Sequence, residues 1–211
     1  MVADSLFETE ALIRQAADGD RSARQRLIAL HRERLRRMVA VRMDGRLAAR
    51  IDASDVVQEA LAEADRHLDA YFQERPLPFY PWLRQFAWQR LRHLHRHHID
   101  ARRRSVLREV PWELPLPDHS ALDLARRMTA SGTSPSRRLI RDEERERVQA
   151  ALSRLDPRDR EVLVLRYLED LSTEEIVAVL GIRAGAVKMR HVRALERLRG
   201  LLDIPPEGAE P

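Results

Sequence analysis

Four histidines crowd one short stretch, FYPWLRQFAWQRLRHLHRHHID, at His93, His95, His97 and His98. On a helix, His93 and His97 stand four residues apart and could share a zinc ion on one face. A complete site needs further ligands. The chain has no cysteine, and Asp100 is the only carboxylate close by, so neither a metal site nor a cofactor is expected. A metal-dependent nucleic-acid enzyme would need carboxylates beside His93 and His97, and no catalytic residue is expected. The same stretch carries another chemistry. From Arg84 to Arg108 the chain holds eight arginines and four histidines against one acid, Asp100. Such a stripe suits phosphates, although a solvated helix face has the same composition. The formal net charge is only +4, so where the charges stand matters more than their sum.

A second basic element lies near the C-terminus. From Leu171 the chain runs LSTEEIVAVLGIRAGAVKMRHVRALERLRGLL. Ser172 and Glu175 have the spacing of a capping box, in which each side chain bonds the other's backbone amide. The capped helix ends at Leu180, Gly181 turns the chain, and a second helix starts near Ala184. A short helix, a glycine turn and a longer basic helix make a helix-turn-helix. Ile176, Val179, Leu180 and Ile182 hold the pair together. At ~100° per residue, Val187, His191, Ala194, Leu195 and Leu198 point inward. Lys188, Met189, Val192 and Arg193 point outward, where arginine can bond guanine and apolar groups can meet a thymine methyl. Arg183, Arg190 and Arg197 flank that face and suit phosphates. His191, with no second ligand at ligand spacing, is expected to be a hydrogen-bonded packing residue.

In the earlier basic stretch, Leu83, Phe86, Ala87, Leu91 and Leu94 are expected inside. Arg84, Gln85, Trp88, Arg92, His95 and Arg96 are expected to share the outer face. Trp88 has two readings. Its ring can stack on an unpaired base while arginine tracks the backbone, or it can pack against a neighbouring helix. Trp82, beside Pro81 at a helix start, is expected in the core.

The elements that carry these residues read as all-α. Val57, Ala60, Leu61, Ala64, Leu68 and Tyr71 fit one helix stripe, and Val148, Leu152 and Leu155 another. Pro76, Pro78 and Pro81 mark a loop between helices. Asp156, Pro157 and Asp159 mark a helix start, as do Ser134 and Pro135. The stretch from Val110 to Pro135 holds Pro111, Pro115, Pro117, Gly132 and Pro135 and reads as a flexible linker, with a brief helix expected over 121–128. The Pro- and Glu-rich tail is expected to be disordered. Met1 to Glu10 lacks the basic flank and apolar core of a signal peptide, and no apolar run is long enough to span a bilayer. A cytoplasmic protein without membrane association is expected.

LDPRDREVLVLRYLEDLSTEEIVAVLGI resembles the start of region 4 in sigma-70 family factors, ahead of the reader of the −35 promoter element. ARIDASDVVQEALAEADRHLDAY resembles sigma region 2, in the helix that docks on the clamp of RNA polymerase. FYPWLRQFAWQRLRHLHRHHIDARRR resembles the promoter-melting and −10-reading helices of the same region. Regions 1 and 3 of the larger factors are missing, which matches the extracytoplasmic-function (ECF) group.

The resemblance implies region 2 over 10–104, a linker over 105–135, region 4 over 136–202 and a tail over 203–211. It implies a partner in core RNA polymerase, through the clamp of the largest subunit and, for region 4, the flap of the second subunit. Promoter DNA and an anti-sigma factor complete the implied partners. Asp55, Gln58 and Glu59 correspond to the polymerase-contacting face. Arg84, Gln85, Trp88, Gln89, Arg92, His95 and Arg96 fall in the −10 reader. Arg183, Lys188, Met189, Arg190, Val192, Arg193 and Arg197 fall in the −35 reader. A stand-alone helix-turn-helix regulator is the alternative, and it leaves the Asp55, Gln58 and Glu59 face unexplained. Arg183 stands where many relatives have a Ser cap, Val177 where Ala is common, and His191 where Leu or Ile is common. Arg90 and His93 stand where Asn and Asp are common. No known promoter sequence is therefore carried over.

Overall fold

The computed structural model describes residues 2–98, 116–129 and 147–203. Among the described residues there are helices and turns and no strand, as the all-α reading requires. They divide into a unit over Met1–Val110 and a unit over Pro111–Pro211.

In the first unit, α1 (Val2–Ala17) packs on α2 (Arg21–Arg42). Asp20 starts α2 by accepting the amides of Ser22 and Ala23 at 2.8 and 3.1 Å. Asp44 and Asp52 do the same for α3 (Gly45–Ala48) and α4 (Ala53–Arg66). The stripe from Val57 to Tyr71 is buried throughout, but it is not one helix. The chain breaks at His67 (φ −105°, ψ 1°) into α4 and α5 (Leu68–Glu74). Arg24, from α2, serves the break. Its Nε donates to Asp65 Oδ1 at 2.8 Å and a terminal nitrogen to Asp69 Oδ1 at 2.8 Å, while the other binds the Asp65 carbonyl. A cation on a carbonyl at a helix C-terminus meets the negative end of the helix dipole.

α6 (Phe79–His98) lies against α4 and also against α2 and α3. Pro81, expected in the loop, stands in the first turn of α6, where an amide has no intrahelical partner to lose. Trp82 is buried, as expected. Its ring centroid is 4.5 Å from that of Tyr71, 5.7 Å from Phe79 and 5.0 Å from Phe86. His31 of α2 lies beside this cluster, 5.2 Å from Phe79 between ring centroids, with Nε2 3.2 Å from Thr9 Oγ1.

In the second unit, α7 (Asp118–Thr129) covers the stretch where a brief helix was expected. It packs on a π-helical turn and buries Leu124 fully. A helical segment, α8, is described over 147–153. Val148, Leu152 and Leu155 are buried, as their spacing implies. α9 (Pro157–Leu163) starts on the Asp156 carboxylate, which accepts the Arg158 amide at 2.8 Å. It runs on into the π-helical turn, Val164–Leu168, where the Glu169 amide reaches back to the Val164 carbonyl at 3.1 Å. α10 (Thr173–Leu180) and α11 (Ala184–Asp203) follow. The Ser134–Pro135 start, stretches 99–115 and 130–146, which take in most of the expected linker, and the tail 204–211 lie outside the described residues.

Gly181 makes the turn between α10 and α11 with φ 64° and ψ 31°, in the left-handed region. A Cβ built there meets no atom within 4 Å, so a side chain would cost backbone energy alone. Gly181→Ala should therefore lower the stability of this unit by ~1–2 kcal/mol, read in urea unfolding. A neutral result would mean the turn has another conformation open to it.

Candidate nucleic-acid and polymerase interfaces

The helix-turn-helix of the second unit is built as its sequence reads. The Glu175 amide donates to Ser172 Oγ at 3.1 Å, and the Ser172 amide donates to Glu175 Oε2 at 2.9 Å. This box fixes where α10 starts, and Gly181 fixes where it ends. On α11, Val187, Ala194 and Leu198 are buried, and His191 and Leu195 half-buried. Met189 and Val192 are 58% and 45% exposed. Most large apolar side chains are covered, so two exposed neighbours on one helix face need a reason. Arg183, Lys188, Arg193 and Arg197 are exposed around them, and Arg190 is half-buried.

Two polar contacts tie α11 to the rest of the unit, one behind it at His191 and one on its exposed side at Arg193. Tyr167, in the π-helical turn, shares a hydrogen bond of 3.1 Å between its hydroxyl and His191 Nε2. Burial, and then the Arg166 charge, lower the His191 pKa, so the ring is neutral at pH 7. Arg193 lies 3.5 Å from Asp159 Oδ1 on α9. Tyr167 is absent from the sequence-derived site. Its one signal is that it is the single tyrosine after Tyr80.

α6 corrects the sequence reading. Arg84, Trp88 and His95, expected on the outer face, are 2%, 3% and 9% exposed. The Arg42 and Arg84 guanidiniums lie 5.5 and 5.3 Å from the Trp88 ring centroid. His95 Nε2 donates to the Arg42 carbonyl at 3.3 Å. Because α6 packs on α4 and on α2, its buried arc is wider than one apolar stripe. The arc takes in Arg84, Trp88, Leu91 and His95. The adjacent stripe of Gln85, Gln89, Arg92 and Arg96 faces outward, with Gln89 and Arg96 exposed and Gln85 and Arg92 half-buried. Of the two readings of Trp88, packing is the one the structure holds.

On α4, Asp55, Gln58, Glu59 and Ala62 are exposed, opposite the buried Val57, Ala60, Leu61 and Ala64. Glu59 Oε2 lies 2.5 Å from Arg90 Nε, without the in-line geometry of a hydrogen bond. The His93 and His97 rings stand 4.8 Å apart. Among the described residues, no group of three or more His, Asp or Glu is placed to hold a metal ion. No described helix is long and apolar enough to cross a membrane.

The family model for Sigma-70, region 4, matches residues 145–198. RNA polymerase sigma factor CnrH of Cupriavidus metallidurans is 33% identical over 93% of this chain and 95% of its own. ECF RNA polymerase sigma factor SigD of Mycobacterium tuberculosis is 29% identical over 90% of this chain and 82% of its own. The solved structure of CnrH in complex with the cytosolic domain of CnrY has a TM-score of 0.52 at 26% identity, covering 93% of this chain and 97% of that one. The chain belongs to the sigma-70 family of RNA polymerase sigma factors, in its ECF group.

Proposed function

We propose that this chain directs core RNA polymerase to promoters by docking through α4 and reading DNA with α11 and the outer stripe of α6. The observation that carries the reading is the exposed Met189 and Val192 pair, ringed by arginines on a helix-turn-helix. Arg183, Arg190 and Arg197 bind phosphates of the −35 element, while Lys188, Met189, Val192 and Arg193 reach base edges. Arg193 would leave Asp159 to do so. Gln85, Gln89, Arg92 and Arg96 lie along the −10 strand, and Arg84, Trp88 and His95 shape the helix from inside. Asp55, Gln58 and Glu59 meet the polymerase clamp, and the second unit meets the flap. Acidic groups on an exposed helix face complement a basic partner surface.

Two small readers on one chain gain affinity when a scaffold fixes their spacing, and polymerase is that scaffold. Such a factor has no catalytic step of its own and acts in the cytoplasm. The CnrH structure holds the cytosolic domain of CnrY, and an anti-sigma protein is a further partner of this chain.

Run-off transcription tests the assignment, with core polymerase and genomic promoter fragments. Discrete transcripts should appear only when the chain is added. Gln58→Ala with Glu59→Ala should abolish them without changing the folded content seen by circular dichroism. Specific DNA binding by the chain alone, with no added transcripts, would favour a stand-alone regulator.

A further inference from the structure

The reading helix is tied by groups that touch no DNA. His191 lies on the rear of α11, next in sequence to Val192 and two before Arg193. Its Nε2 is 3.1 Å from the Tyr167 hydroxyl, and the two rings lie 5.9 Å apart with planes 26° from parallel. Tyr167 stands in the π-helical turn, whose wider coil changes the angle at which the ring leaves the helix. Such turns are frequent at functional sites. The same residue is gripped from the other side. Arg127 of α7 donates to the Tyr167 carbonyl at 2.6 Å and lies 3.6 Å from Asp170 Oδ1. Asp170 itself has φ 54°, in the left-handed region, so the chain just past the turn is held in a bent form. Arg127 thus supplies a cation where the turn ends and carbonyls lack helical partners.

We infer that Tyr167 is the positioning residue of the promoter-reading helix: through His191 it sets the rotation of α11 that presents Met189 and Val192, and through Arg127 the helix α7 holds Tyr167 in place. The inference rests on the proposed role of α11 at the −35 element and adds to it. Apolar packing of Val187, Ala194 and Leu198 resists separation of α11 from the unit, but apolar contact is non-directional. A hydrogen bond is directional, and the Tyr167–His191 bond can fix the angle that base contacts require. α7, expected within the linker but packed in the second unit, becomes part of the reader.

The test uses the full chain assembled with core polymerase. The readout is the ratio of transcription from a selected promoter to that from the same promoter with its −35 element scrambled. Tyr167→Phe removes only the hydroxyl and should lower the ratio about 3- to 10-fold, the worth of one hydrogen bond. His191→Leu should do the same, and the double variant should add nothing. His191→Gln should recover much of the ratio. Arg127→Ala should lower it about 2-fold and Arg127→Lys less, on the scale of one exposed charged contact. An unchanged ratio in Tyr167→Phe, or simple addition in the double variant, overturns the inference. Met189→Ala with Val192→Ala is the reference arm. If that pair lowers the ratio while Tyr167→Phe does not, only the positioning role fails. If that pair leaves the ratio unchanged, the assignment of α11 to the −35 element fails and the inference with it.

Discussion

Replacing Trp88 with alanine should destabilise the first unit by ~3–5 kcal/mol, the usual loss when a large buried aromatic is deleted. The ring is 3% exposed, and the Arg42 and Arg84 guanidiniums flank it at 5.5 and 5.3 Å. Both arginines are themselves buried. Removing the indole leaves each beside a cavity and takes away a cation–π contact that is stronger when water is excluded. Domains of this size are stable by ~5–15 kcal/mol in all, so the loss is a large share. Denaturant unfolding followed by far-ultraviolet circular dichroism, with Trp82 fluorescence as a second probe, measures it. Trp88→Phe should fall between the two. A loss below ~1 kcal/mol, typical of surface positions, would put the ring outside and restore the base-stacking reading.

The second large effect concerns pH. His31 is 3% exposed and its pKa is pushed down to about 4, by burial first and by the Arg34 charge second. The geometry gives the reason. Nε2 meets Thr9, whereas Nδ1 is buried with no hydrogen-bond partner. Charging the ring would require a proton on each nitrogen, among Phe79 and Tyr80 rings. In the unfolded chain the same imidazole has an ordinary pKa near 6.5. The unfolded state therefore binds the extra proton first as pH falls. The contribution is fully present above about pH 6.5, is lost as pH falls toward 4, and changes no further below it. Its size is on the order of 3 kcal/mol. The ring protons of His31 should titrate near pH 4 by nuclear magnetic resonance, and His31→Phe should flatten the stability profile between those limits. A midpoint near 6.5 would mean the ring is solvated.

The helix-turn-helix of the second unit is legible in sequence because its signals are local. Ser172 and Glu175 are three residues apart, Gly181 stands where a left-handed turn is needed, and the inward and outward sets of α11 follow from a single period. The first unit is less so, because its departures depend on distant partners. The break at His67 is served by Arg24, 41 residues earlier in the chain than Asp65. Trp88 is buried because α2 brings Arg42 across the ring, and no pattern within α6 announces that. Arg84, Trp88 and His95 sit only ~100° from the stripe of Gln85, Gln89, Arg92 and Arg96. One-dimensional reading merges the two, and packing on two sides separates them. The π-helical turn is invisible for another reason. The stretch Val162–Leu168 fits a regular helix equally well, and backbone bonds such as that from Glu169 to Val164 distinguish them.

Met189 and Val192 have a consequence for how the factor responds to its surroundings. On the proposed reading, contacts from Arg183, Arg190 and Arg197 to phosphates would release counterions and weaken steeply as ionic strength rises. Apolar contact with a methyl group releases water instead, is nearly indifferent to salt, and leaves its mark in a negative heat-capacity change. If Met189 and Val192 read bases as proposed, the exposed pair would put sequence choice on the salt-resistant part of the binding and non-specific attraction on the salt-sensitive part. A rise in ionic strength would then strip the factor from random DNA sooner than from the promoters it selects.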